Sequence, residues 1–255
     1  MKPRTYATPA AFKAALEQRL RDSSKSGVEL ARRRQLLVFD RLLARVARVL
    51  GKAAMLKGGL VLELRLERAR TTRDVDLRLV GSPEDALARL QEAGRVDLGD
   101  FMTFEIQADA QQPEMDFQGR RNDGFRYRAE CKLAGQIYGQ RFGVDVAFAD
   151  PVLGEPDVVV AEDFLAFAGI EPPKVRLYPV ETHLPEKVHA YTRCTLQSAD
   201  LYERARRLAA SWDEPAGPVQ CAHALAMAAV SPLTSKASLK RCALLRWKRT
   251  RRQRG

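Results

Sequence analysis

Between residues 73 and 148 the sequence repeatedly alternates apolar and polar side chains. "RDVDLRLV" sets Val75, Leu77 and Leu79 against Asp74, Asp76 and Arg78, and "FRYRAECKL" sets Phe125, Tyr127, Ala129, Cys131 and Leu133 against Arg126, Arg128, Glu130 and Lys132. "FGVDVAFAD" sets Val144, Val146 and Phe148 opposite Asp145. Successive side chains of a strand point to opposite faces, so each segment reads as a strand with one apolar and one polar face. With "FMTFEIQ" at 101–107 they predict a sheet of at least four strands, with a helix at about 83–93 between the first two.

The flanking segments have a helical period. Thr8 and Pro9 suit an N-cap and first helical position, with Phe12, Leu16 and Leu20 recurring behind them. After "DSSKSG", Leu36, Phe39, Leu43, Val46 and Leu50 form one apolar stripe up to Gly51, with arginines filling the other faces. From Thr182 the helical period returns, with Pro185 in the first turn and Leu184, Val188 and Tyr191 on one face. The pattern predicts an α/β or α+β fold with a mixed sheet. Its divisions are N-terminal helices at 1–51, a core at 52–180, a helical part at 181–235 and a basic tail at 236–255.

At 255 residues and 45% apolar, the chain is long enough for one sizeable core. No apolar run is long enough to cross a bilayer and no leader pattern opens the chain, which leaves a cytoplasmic protein as the default expectation. The cysteines, Cys131, Cys194, Cys221 and Cys242, have no CxxC pairing or zinc-ligand spacing and read as reduced thiols. The net charge of +11 is unevenly placed: beyond Glu214 there is no acid, and nine bases between Lys236 and Arg254 leave +2 for everything before them. The basicity belongs to the tail.

The chemistry lies on the polar faces. Asp74 and Asp76 stand at i and i+2 of one strand, so their carboxylates point the same way and repel unless a cation lies between them. Mg²⁺ suits such a pair, because it binds through one or two carboxylates and completes its shell with water and substrate phosphates. Asp145, on another strand, is a candidate third ligand or base. Lys57, Gly58 and Gly59 form the other half, a turn in which backbone N–H groups can approach phosphate at a helix start. Taken singly, a Gly-Gly is usually only a turn and an Asp-x-Asp only a solvated strand face; in this order and spacing they make a much more specific combination, which points to a nucleotide substrate. Arg70, Thr72 and Arg73 read either as phosphate contacts or as a polar loop. Lys187 reads as a helix surface lysine on these grounds, and His183 and His189 as capping or packing residues.

"LKGGLVLELRL", "RTTRDVDL", "FGVDVAF" and "YPVETHLPEKVHAYTR" together resemble, from about Arg32 to Arg193, the successive motifs of the AbiEii/AbiGii nucleotidyltransferase toxin family. The resemblance implies a minimal DNA-polymerase-β-like nucleotidyltransferase fold and the toxin of a bacterial toxin–antitoxin or phage-defence pair with a cognate antitoxin. Some members transfer nucleotides from NTP to the 3′ end of tRNA and so block translation. It implies that Gly58 and Gly59 bind phosphate, Asp74 and Asp76 hold the metal, Thr72 takes the hydroxyl position before that pair, and Lys187 contacts the nucleotide. Asp145 falls at a matching strand position. After Arg193 the chain reads "CTLQSADLYERARRLAASW", without the Lys-Asp pair of the family pattern. Two other readings stay open: a phosphotransferase or nucleotide-adding enzyme with a protein acceptor, such as the antitoxin or its own Thr72, and a catalytically impaired RNA-binding protein whose basic tail supplies the affinity.

Overall fold

The computed structural model of the chain describes residues 4–65, 72–110, 114–117, 120–148, 152, 154–179 and 182–183. It divides into Met1–Pro179 and Val180–Gly255. Arg70, Lys187, His189 and the basic tail lie outside the described residues, as does nearly all of the second unit.

Helix α1 spans Pro9–Asp22, with the Thr8 hydroxyl accepting the Ala11 N–H at its start and Phe12, Leu16 and Leu20 buried. Helix α2 spans Gly27–Leu50, capped by Ser26, which accepts the Glu29 N–H, while the Glu29 carboxylate accepts the Lys25 N–H. It ends where Gly51 takes a positive φ. Then follow β1 (Ala54–Lys57), α3 (Gly58–Arg65), β2 (Val75–Leu79), α4 (Ala86–Arg95), β3 (Met102–Ala108), β4 (Glu114–Phe117), β5 (Arg120–Leu133), β6 (Gln136–Ile137), β7 (Phe142–Ala147), β8 (Asp157–Val160) and β9 (Lys174–Leu177).

These strands form one mixed sheet in the order β3-β5-β7-β2-β1-β9-β8, with β4 and β6 pairing with β5. β2 runs parallel to β7, and β1 parallel to β9; the other pairs are antiparallel. The apolar side chains of the alternating strands pack with α1, α2 and α4 in a single core. Cys131 is buried in it, and burial pushes its thiol pKa up to about 12. Among the described residues no helix is long and apolar enough to cross a membrane.

Not all the arginines of α2 fill a solvated face. Arg41 and Arg45 are buried, Arg45 completely, around the equally buried Asp100. Arg45 donates to both Asp100 oxygens at 2.6 and 2.9 Å and to the Met102 carbonyl, and Arg41 Nε donates at 2.7 Å. Burial alone would raise the Asp100 pKa, but the hydrogen bonds and charges of the arginines hold it below the usual carboxylate range. The clamp fixes α2 to the start of β3.

Candidate active site

The backbone enters the site along β1, all four residues of which are buried, and turns at Gly58 with φ +72° into α3. β2 lies antiparallel beside β1, setting Lys57 opposite Asp76. The turn therefore faces the second carboxylate. A Cβ on Gly58 would fall 1.8 Å from Asp76 Oδ2, so glycine is required both by φ and by space the carboxylate fills. The Gly59 N–H points at the same Oδ2 at 3.4 Å. A Cβ on Gly59 would meet Thr72 Oγ1 at 2.9 Å.

Asp74 sits just before β2, and its Oδ1 accepts the Gly143 N–H of β7 at 3.0 Å. A Cβ on Gly143 would lie 2.7 Å from that oxygen. Thr72 is held between these groups: its N–H donates to Glu63 of α3 at 3.2 Å and its hydroxyl donates to the Asp74 carbonyl at 3.3 Å. Arg32 of α2 pairs with the same Glu63 at 2.8 Å, linking the long helix to the turn.

Asp145 is opposite Asp76 in the parallel β2–β7 pair, and Arg126 is opposite Asp145 in the β5–β7 pair. Arg126 Nε donates to Asp145 Oδ1 at 2.7 Å and a terminal guanidinium nitrogen to Oδ2 at 2.6 Å, a bidentate pairing that engages both oxygens. These hydrogen bonds raise the Arg126 pKa above its ordinary value against the opposing effect of burial, with the charges of Asp145, Asp74 and Asp109 adding to the rise. The register produces a row across four strands, Arg126, Asp145, Asp76 and Lys57, with signs + − − +. Lys57 is buried, its Nζ 5.9 Å from the centre of the Tyr178 ring.

The structure thus gathers Lys57, Gly58, Gly59, Thr72, Asp74, Asp76 and Asp145 around one end of β1, β2 and β7. Among the described residues no group of three or more His, Cys, Asp or Glu side chains is arranged to hold a metal. Asp74 and Asp76 still offer hard oxygen donors from one strand end, a set that fits an ion taking one or two protein carboxylates and the rest of its ligands from substrate and water. It does not fit an all-protein cage. Arg126, Glu63 and Gly143 escaped the reading of the sequence. The only signal for Arg126 was its place on a polar strand face, and its pairing with Asp145 depends on a register that alternation alone does not give.

In overall fold the chain is similar to MenT4, a nucleotidyltransferase toxin from Mycobacterium tuberculosis H37Rv, with 16% identity and a TM-score of 0.50 over 86% of this chain and 68% of that one. It also aligns with JHP933 from Helicobacter pylori, with 12% identity and a TM-score of 0.43 over 91% of this chain and 100% of that one. No curated protein sequence matches the chain. The MenT4 likeness shows the fold, a mixed-sheet nucleotidyltransferase architecture. The profile of the family described as nucleotidyl transferase AbiEii toxin, type IV TA system, matches residues 41–207, continuing past Arg193. With its glycine turn, paired aspartates and nucleotidyltransferase sheet, this chain belongs to the AbiEii family of nucleotidyltransferase toxins of type IV toxin–antitoxin systems.

Proposed function

We propose that this enzyme transfers a nucleotidyl group from an NTP to RNA, with the 3′ end of tRNA as acceptor, and thereby blocks translation until a cognate antitoxin intervenes. The setting is the bacterial cytoplasm, and the pair serves phage defence. The observation that carries the reading is the close fit of Gly58 against the Asp76 carboxylate at the start of α3, and of Gly143 against the Asp74 carboxylate on the neighbouring strand.

In the transfer, a terminal hydroxyl oxygen of the acceptor forms a bond to the α-phosphorus and the bond from that phosphorus to the bridging oxygen breaks. Pyrophosphate leaves, and the hydroxyl proton passes to a base or to solvent. Asp74 and Asp76 would hold Mg²⁺, which would offset the charge of the phosphates. Lys57, Gly58 and Gly59 take the triphosphate, and Thr72 and Arg70 serve as further nucleotide contacts. Lys187 neutralises charge developing on the phosphates. Asp145 is tied on both oxygens to Arg126, which suits a role in holding the acceptor side of the site and requires Arg126 to yield before Asp145 acts as ligand or base.

Incubating the protein with bulk tRNA, Mg²⁺ and each α-labelled NTP tests the reading. Label should appear on tRNA with the wild type and be lost in Asp74→Ala; wild-type transfer by that variant would refute the site. A protein acceptor is favoured by one observation, the Thr72 hydroxyl beside both Gly59 and Asp74. Label on protein that disappears in Thr72→Val, with none on RNA, would establish that second reading instead.

A further inference from the structure

Away from the carboxylate turn, a cavity of about 370 Å³ opens between α2, α3 and the segment that follows β8. Its walls are largely apolar, including Leu36, Phe39, Leu60, Leu64 and Phe164. Of its lining acids Asp40, on α2, is 7% exposed and accepts no hydrogen bond from another described residue.

The charged groups around Asp40 do not satisfy it. On α2 its neighbour Arg41 is committed to Asp100 at 2.7 Å, Arg32 to Glu63 of α3 at 2.8 Å, and Arg33 to Glu162 at 2.5 Å. Glu29, at the open end, accepts the Lys25 N–H. Glu162 and Asp163 beyond β8, and Asp100 before β3, add repulsion, which with the larger effect of burial outweighs the attraction of Arg41 and raises the Asp40 pKa to about 7. The lining acids Glu29, Asp40, Glu63 and Glu162 outnumber Arg32 and Arg33 by two. Arg33 Nε is buried without a partner among the described residues, while its guanidinium lies over the Phe164 ring.

We propose that this cavity is a binding site for an organic cation with an apolar body, whose ammonium or guanidinium group sits on Asp40. The apolar walls take the body, and the unpaired carboxylate and excess negative charge select for a cation over a neutral molecule of the same shape. An acceptor atom on the ligand can satisfy Arg33 Nε. The site lies on the same helix, α3, whose first residues are Gly58 and Gly59, and is distinct from the carboxylate pair.

The test uses the full-length protein and benzylammonium as probe, with benzyl alcohol as its neutral counterpart, titrated by calorimetry at about pH 8, where Asp40 is ionised. One saturable site for the cation is expected, with benzyl alcohol weaker by at least about tenfold. Asp40→Asn, which keeps the side-chain shape, should weaken the cation by at least about tenfold, as should lowering the wild type to about pH 5. A second variant, Leu60→Trp, fills the cavity and should abolish binding with Asp40 in place. No saturable binding of benzylammonium, equal binding of the alcohol, or unchanged affinity in either folded variant would overturn the proposal.

Discussion

Gly143→Ala isolates the geometry of the first carboxylate from the stability of the sheet. Gly143 lies in β7 without a positive φ, so its backbone accepts alanine, and alanine in place of glycine is worth roughly 0.5–1 kcal/mol in an extended segment. The new methyl, however, would lie 2.7 Å from Asp74 Oδ1, where ordinary contact begins at 3.4 Å. The carboxylate must retreat by about 0.7 Å, and its 3.0 Å hydrogen bond from the Gly143 N–H stretches with it. Losing a hydrogen bond to a charged acceptor costs about 1.5–3 kcal/mol, which the backbone gain partly offsets, so net destabilisation should stay within about 2 kcal/mol. Misplacing a reacting group by about 1 Å is worth roughly a hundredfold in rate, and transfer to tRNA should fall by that order. Gly135→Ala is the control: its φ is +73° with nothing within 4 Å, so it should lose about 1–2 kcal/mol of stability and keep its activity. Urea denaturation and single-turnover transfer on both variants separate the effects. A folded Gly143→Ala enzyme with wild-type transfer would refute the claim that this glycine exists to make room for Asp74.

Arg126→Lys should lower transfer and leave it unrescued, because an ammonium cannot reproduce the two parallel bonds to Asp145; initial rates against a folded control check this. Asp100→Asn strips the anion from two buried guanidiniums and should cost about 3–5 kcal/mol in denaturant unfolding. Asp40 acts in the opposite sense. Its folded pKa, about 7 against an ordinary 3.8, means the native state binds the proton more tightly, so this stability is fully present below about pH 4 and lost as pH rises through 7. The difference is roughly 4 kcal/mol at most, so Asp40→Asn should be the more stable protein at about pH 8 and gain least at about pH 4, as read by urea midpoints. Removing divalent ions with a chelator should weaken NTP binding at least about a hundredfold, measured by titration with a non-hydrolysable analogue.

The alternating segments were legible because β2, β3 and residues 127–133 of β5 bury alternate side chains, which writes the period into the sequence, while β7 alternates in residue type although residues 144–147 are all buried. β1 carried no such signal, since all four of its residues are buried, and neither did β8, with "DVVV", or β9, too short at four residues to set a period. Arg41 and Arg45 looked like a solvated helix face because nothing local separates a buried arginine from an exposed one. Their anion, Asp100, lies 59 and 55 residues further on. The paired aspartates were legible for the same reason as the strands: spacing i, i+2 fixes direction. Their surroundings were not. Gly143 is 69 residues from the carboxylate it accommodates, and only the parallel pairing of β2 with β7 brings them together.

That pairing also sets the electrostatics of the site. Asp76 and Asp145 are direct neighbours on adjacent strands, about 4.8 Å apart at the backbone, so their like charges repel. The sheet places Arg126 outside one and Lys57 outside the other in the same row, so the row as a whole is neutral. Asp74, one pleat away and held by a backbone N–H, is then the charge this row leaves unbalanced. A triphosphate approaching the glycine turn therefore meets no net positive charge in the row and Asp74 together. Gly58 and Gly59 can offer N–H groups, but these cannot offset several phosphate charges. On the proposed chemistry the missing positive charge arrives with the metal, and with Arg70 and Lys187. On that chemistry, nucleotide binding depends on the ion that Asp74 and Asp76 would attract.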